Sequence, residues 1–466
     1  MINFISILIK VYRLAISPYL PSMCKYTPTC SHYCETAIKT HGILKGLLLF
    51  SYRIVRCNPF TTPKHDPVPN KNILNLKAPM ALKTPFMLTM LLLIASTTAC
   101  TGSSILPPAS GWGPPAITNN TLFVATAEGE IRAYDAKNTG QLLWSFPDKD
   151  NESKDSYRDK LLGGAYSSPT IKDSTLFVTG YNGKAYALNT KTGEEIWDKT
   201  FTDKETNFIS GPLIANDQLI LIDTKGTVYS LNLQNGKFNR DQSKMQTLKL
   251  ETEIWATPSY ANESFFIGST DHQIFAISSS GKTLWKRKVN GAIVGKPLIV
   301  TLSAGNLIIV GDLDNTISAF DTNGNIKWQT KTKDWVWANL IKADENGTHI
   351  IAADIGGNIY KIKTIDGSIT TTTKIDSRII SAPILIDDLV VIGGGDSKKN
   401  GLLYFLANDS LNEVESPYSV GEPVRSPLIM KDNILYFTTN GKEKYVLAFD
   451  VKNSKKLWKV STKRQD

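Results

Sequence analysis

Cysteine and histidine would do most of the chemistry in this 466-residue chain, which has five of each, and both are unevenly placed. Cys24, Cys30, Cys34, Cys57 and Cys100 all lie in the first 100 residues, and only His272 and His349 lie beyond residue 65. The long remainder can therefore have no disulfide framework and no cysteine nucleophile. Its histidines are too few for a His-centred zinc site and leave a Ser-His-Asp triad poorly supplied. The early cysteines follow C-x5-C-x3-C-x22-C, with His32 and His41 close by. Zinc would use such ligands, but the C-x2-C knuckle of structural sites is missing, and reduced structural thiols are the better reading. Beyond residue 112 the tempting acids are Asp312, Asp314 and Asp354, which could serve as a catalytic base or hold calcium. Each sits at a strand end or hairpin, where Asp commonly supports the turn itself.

Charge separates the same two regions. Residues 1–79 hold ten Lys/Arg against Glu35 and Asp66, whereas residues 80–466 hold 42 basic and 41 acidic groups. The basic balance thus belongs to a sixth of the chain, and a nucleic-acid-binding body is not indicated.

Three pieces must position these residues. Residues 1–70 read as short helices. Ile2–Ser17 is apolar apart from Lys10 and Arg13, which share a face, and Pro18 and Pro21 stop it. A second helix spans roughly 32–41, with Ser31 as its cap and Gly42 just beyond, and a third runs from about Ile43 to Cys57. Lys45, Arg53 and Arg56 on the third helix, with Lys10 and Arg13, are candidates to meet anionic lipid head groups. A small helical domain with a solvated basic face is the alternative.

Motifs bear on that choice. The run Cys24-Lys-Tyr-Thr-Pro28-Thr-Cys30, then Gly42-Ile-Leu-Lys-Gly46, Arg53-Ile-Val-Arg-Cys57-Asn-Pro59 and Asp66-Pro67-Val-Pro69 resembles the membrane protein insertion efficiency factor family (YidD-type). Thr61–His65 replaces that family's usual glycine pair, and Cys34 stands where a small residue is commoner. The resemblance implies a small protein peripheral to the cytoplasmic face of the inner membrane, acting beside a membrane insertase.

Residues 71–111 form a linker. Within it, residues 80–100 (MALKTPFMLTMLLLIASTTAC) hold a lysine, about fifteen apolar residues, small residues and Cys100. The apolar run is shorter than a spanning helix and matches a secretory h-region. Thr97-Thr-Ala-Cys100 looks like a bacterial lipobox, which would make Cys100 the lipidated residue. An uncleaved anchor and a buried connector also fit the segment. Lysines precede it and neutral residues follow, so its N-terminal side is expected in the cytoplasm.

Residues 112–466 repeat one unit eight times. A strand ends in a polar residue, a turn carries Gly, and a strand ends in Trp: Ala133 to Trp144, Ala187 to Trp197, Ala276 to Trp285, Ala319 to Trp328 and Ala448 to Trp458. A proline ahead of each unit gives the same count, with Asn339 in one slot and an extra segment of about eleven residues within Asp148–Lys160. Four strands per unit of about 43 residues is the arithmetic of an eight-bladed β-propeller with antiparallel blades, preceded by the small helical domain. Trp then acts as a wedge between neighbouring blades. Trp255, Trp335 and Trp337 could line a ligand pocket, though blade-edge packing suits them better.

The motifs are similar to the pyrroloquinoline-quinone-type (tryptophan-docking) repeat. Eight of them behind a lipoprotein signal resemble the lipoprotein subunit of the outer-membrane β-barrel assembly machinery (BamB-type). The resemblance implies a non-enzymatic periplasmic scaffold whose partners are outer-membrane assembly proteins, with no cofactor, metal, nucleic acid or small-molecule substrate. Two alternatives stay open: a quinone-dependent dehydrogenase, and two separate proteins run together with Met80 as the second start.

Overall fold

Period-2 apolar segments need a second sheet against each face, and the way they are buried shows how that need is met. The computed structural model describes residues 26–27, 30–56, 64–65, 68–69, 113–137, 139–201, 206–238, 245–395, 401–440 and 443–463. The chain divides into two compact units, residues 1–103 and 104–466.

The second unit contains, among its described residues, eight four-stranded sheets, each built from four consecutive strands. The blades span residues 116–146, 170–200, 213–249, 259–288, 298–331, 341–374, 384–419 and 429–461. The sheets are antiparallel throughout, as at Phe177↔Ala187 and Ala319↔Trp328. Second strands such as Thr175–Thr179 and Gln218–Ile222 are buried on both faces, because a blade lies against each. Fourth strands such as Glu195–Thr200, Thr283–Lys288 and Ile326–Lys331 are largely exposed, and Trp is the one residue in each that is buried. Apolar clusters therefore run from one blade into the next, as where Phe266, Trp285 and Phe320 meet.

Among the described residues no strand is exchanged between blades, and blades 8 and 1 meet through side chains and their hydrogen bonds. Leu122, Val124, Tyr134 and Ala136 of blade 1 form one cluster with Tyr436, Val446, Ala448 and Trp458 of blade 8. The Tyr436 hydroxyl donates to the Ala136 carbonyl at 3.2 Å, and Arg132 Nη1 donates to the Thr462 carbonyl at 3.3 Å. The extra segment between blades 1 and 2 contains the short helix Lys154–Lys160, capped by Ser153. Its Tyr157 is buried and its hydroxyl donates to Glu130, whose carboxylate also pairs with Arg132 at 2.6 Å.

In the first unit, helices Cys30–His41 and Ile43–Arg56 are joined at Gly42, whose φ of +79° lets the chain turn. The first helix begins at Cys30, so Ser31 lies inside it and is not its cap. At Gly46 the helices touch: a Cβ there would lie 2.6 Å from the Ile38 Cα. Tyr26–Thr27 pairs in parallel with Lys64–His65, and His41 Nε2 lies 2.7 Å from the Pro69 carbonyl. Cys34 is buried, as are Tyr33, Ala37 and Ile38. No helix among the described residues is long and apolar enough to cross a membrane.

Candidate functional site

Two of the three acids singled out from sequence, Asp312 and Asp354, are engaged by turns, and Asp314 takes part through its backbone. The Asp312 carboxylate accepts from the backbone N–H groups of Asp314 at 2.9 Å, Thr316 at 3.0 Å and Gly291 at 3.2 Å. Asp354 is wholly buried and accepts from the N–H groups of Gly356, Asn358 and Asp334, the Asn358 amide, and the Tyr360 hydroxyl at 2.7 Å. These carboxylates organise hairpins and hold the segment that enters each blade from the one before it.

The tryptophans form the blade seams. The indole N–H of Trp144 donates to the Thr190 carbonyl, Trp197 to Leu233, Trp285 to Thr322, Trp328 to Thr364 and Trp458 to Ala136. In each case the acceptor lies in the turn of the following blade, and the ring covers that turn's glycine. At Gly324, φ is +79° and a Cβ would sit 2.7 Å from the Trp285 ring, so both conformation and space require glycine.

Three seams lack Trp and substitute different chemistry. Met245 packs on Gly281 between blades 3 and 4. Between blades 6 and 7, Thr371 pairs with Lys361, where other blades pair Trp with Ala. The Lys361 ammonium donates to the Asn408 carbonyl at 2.7 Å, the position where the indole N–H binds elsewhere. The turn residue there is Leu411, held at φ +56°. Between blades 7 and 8 the Ser454 hydroxyl donates to the Glu415 carboxylate at 2.7 Å, while Phe405 stacks on Phe449 at 5.8 Å.

A central cavity of about 1270 Å³ lies where the first strands converge, and every blade contributes to its wall. One position, the residue after a buried apolar residue, recurs around it. Tyr166, Trp255 and Trp337 supply aromatic faces there and Ile209, Val294 and Ile380 aliphatic ones, while blade 8 supplies Arg425. Trp255 is 39 % exposed into this space. Trp255 and Trp337 thus face the cavity, where blade-edge packing was expected. Two residues further along, the Lys296 N–H donates to Asn339 Oδ1 at 2.8 Å and the Gly211 N–H to Thr257 Oγ1 at 2.9 Å, linking neighbouring blades. Among the described residues the wall holds no Asp or Glu, and the donor set they offer does not fit a calcium–quinone centre. Neither Arg425 nor Lys296 stood out in the sequence, because nothing periodic marks them.

In the first unit, Lys45 is exposed on its helix. Arg53, expected to face lipid, is instead buried, with its guanidinium 4.2 Å over the Tyr33 ring. Packing between the two helices captures it, and a cation over an aromatic face offsets part of its desolvation. Cys30 and Arg56 lie at helix ends. Lys10, Arg13, Cys24, Pro28, Cys57, Pro59, Asp66, Pro67 and Cys100 lie outside the described residues.

Comparison with known proteins places these two units. Residues 1–69 match the family described as "Putative membrane protein insertion efficiency factor". Residues 95–238 and 239–460 match the family described as outer membrane protein assembly factor BamB. A protein of the first description from Francisella tularensis subsp. novicida is 54% identical over 66 residues, 14% of this chain and 80% of its own length. One from Cytophaga hutchinsonii is 52% identical over 61 residues, 13% of this chain and 77% of its own. Among solved structures, BamB from Moraxella catarrhalis aligns with a TM-score of 0.54 at 18% identity, covering 70% of this chain and 92% of that one. The computationally designed Ika8 protein also aligns at 0.54, with 16% identity, covering 71% of this chain and 93% of its own. At those identities the structural likeness concerns fold alone. The chain belongs to the membrane protein insertion efficiency factor family over residues 1–69 and to the outer membrane protein assembly factor BamB family over residues 95–460.

Proposed function

We propose that this chain is a non-enzymatic factor of envelope protein biogenesis. Its N-terminal unit assists insertion of integral proteins from the cytoplasmic face of the inner membrane, beside the insertase. Its propeller is a periplasmic scaffold for assembling outer-membrane β-barrel proteins, tethered by lipid on Cys100. The observation that carries the reading is the presence on one chain of two families whose descriptions both concern membrane proteins. The turn geometry supports it: Asp312 and Asp354 are occupied by backbone donors, leaving the propeller a rigid ring whose rim loops can meet partners. Its near-neutral charge suits protein partners.

The test is cross-linking in the bacterium of origin, followed by purification through a C-terminal tag and mass spectrometry. Subunits of the outer-membrane β-barrel assembly machinery should be enriched over a tag-only control. Recovery of none of them would reject the scaffold assignment.

A further inference from the structure

A cation that faces a largely apolar wall with no counter-charge beside it is left for an anion to meet, and here Lys296 is exposed and Arg425 half-buried. The central cavity carries two such cations, the third in its wall, Lys172, being paired with Asp217. Lys296 and Arg425 both face it, from the segments leading into blades 5 and 8, and among the described residues the wall contains no carboxylate. Among the described residues neither has an ion-pair partner, and Arg425 Nε is buried without a hydrogen bond. Burial and then the like charge of Arg378 hold the Arg425 guanidinium below its usual pKa. Burial also lowers the Lys296 ammonium, although the side chain remains accessible from inside the cavity. Around these charges stand Tyr166, Trp255, Trp337 and Ile380, which offer broad apolar faces open to the same space. A pocket of this kind orients a ligand by few polar contacts and holds it by many apolar ones.

We infer that the central cavity is a binding site for a small amphipathic anion, one carboxylate or phosphate on an apolar body, held between Lys296, Arg425 and the two cavity tryptophans. The ligand proposed is a resident one. It does not depend on the scaffold reading.

Calorimetric titration of the full chain with three probes sharing one ring system tests it: 1-naphthaleneacetate, 1-naphthyl phosphate and the neutral 1-naphthaleneacetamide. At least one anion should bind at least tenfold more tightly than the amide, with one site per chain. The tighter of the two identifies the head group as carboxylate or phosphate. Arg425→Gln with Lys296→Gln should remove the difference while leaving the melting temperature within about a degree. Lys286→Gln with Lys288→Gln, outside the cavity, should leave it intact. Equal binding of anions and amide, no binding at all, or an anion preference that survives the Arg425/Lys296 double variant would each overturn the assignment.

Discussion

Trp458→Ala should destabilise the propeller by about 4 kcal/mol, at the upper range for burying and then deleting an aromatic side chain. For a unit of this size that is a fall of about 5 °C in melting temperature. The size follows from what Trp458 does at the ring's closure. It is 94% buried, its indole donates to the Ala136 carbonyl at 3.2 Å, and its ring covers Gly140. Among the described residues no strand crosses between blades 8 and 1, and the seam consists of the shared apolar cluster and a few polar contacts. Hydrogen exchange should therefore accelerate in both blade 1 and blade 8, which are 300 residues apart in sequence at the Tyr436–Ala136 contact. Trp285→Ala, the same truncation inside the ring, should lower the melting temperature equally but accelerate exchange only in blades 4 and 5. A fall of less than about one degree for Trp458→Ala, with unchanged exchange in blade 1, would show that something else closes the ring.

Asp354→Ala has the second large expected effect, again about 4 kcal/mol, from a different cause. The alanine leaves the N–H groups of Gly356, Asn358 and Asp334 and the Tyr360 hydroxyl without their acceptor in a site that excludes solvent. Those groups belong both to the hairpin of blade 6 and to the segment leading into it from blade 5, so one substitution loosens both. Asp354→Asn keeps one oxygen acceptor and places an amide against donors, and should cost about half as much. Thermal melting of the three proteins side by side is the check. Equal stability of wild type and Asp354→Ala would mean the hydrogen bonds at this turn contribute little.

The eightfold architecture was legible because its seams reuse one chemistry at a regular spacing: a Trp, a Gly on the next turn, a Pro ahead of the first strand. It became illegible where that chemistry was replaced. Met245 on Gly281, Lys361 on Asn408 and Glu415 with Ser454 do the same mechanical work, but they share no residue type with Trp and Gly. Lys361 is instructive: it occupies the position where other blades have Ala, and the Trp that would cover it is Thr371. The two substitutions compensate across a strand pair, which only the register reveals.

The cavity was hidden for a related reason. Its lining position is occupied by Tyr, Ile, Trp, Val, Trp, Ile and Arg in turn, so no repeated letter marks it, and the convergence of eight first strands is a tertiary fact. The burial of Arg53 is not legible from the third helix alone. Its basic face looked solvent- or lipid-directed until the neighbouring helix placed Tyr33 over it. The turn role of Asp312 and Asp354, by contrast, follows from local sequence, since Asp two to four residues ahead of the hairpin amides is a short-range signal.

Under the proposed function, one chain places a basic helical unit inside the cell and the propeller outside the inner membrane. Fusing alkaline phosphatase after Asp466, in a chain also tagged at Met1 and expressed with the lipoprotein peptidase inhibited, tests it most directly. The account requires an active phosphatase on a single band that carries both tags. An inactive phosphatase, or two separate bands despite inhibition, would contradict it.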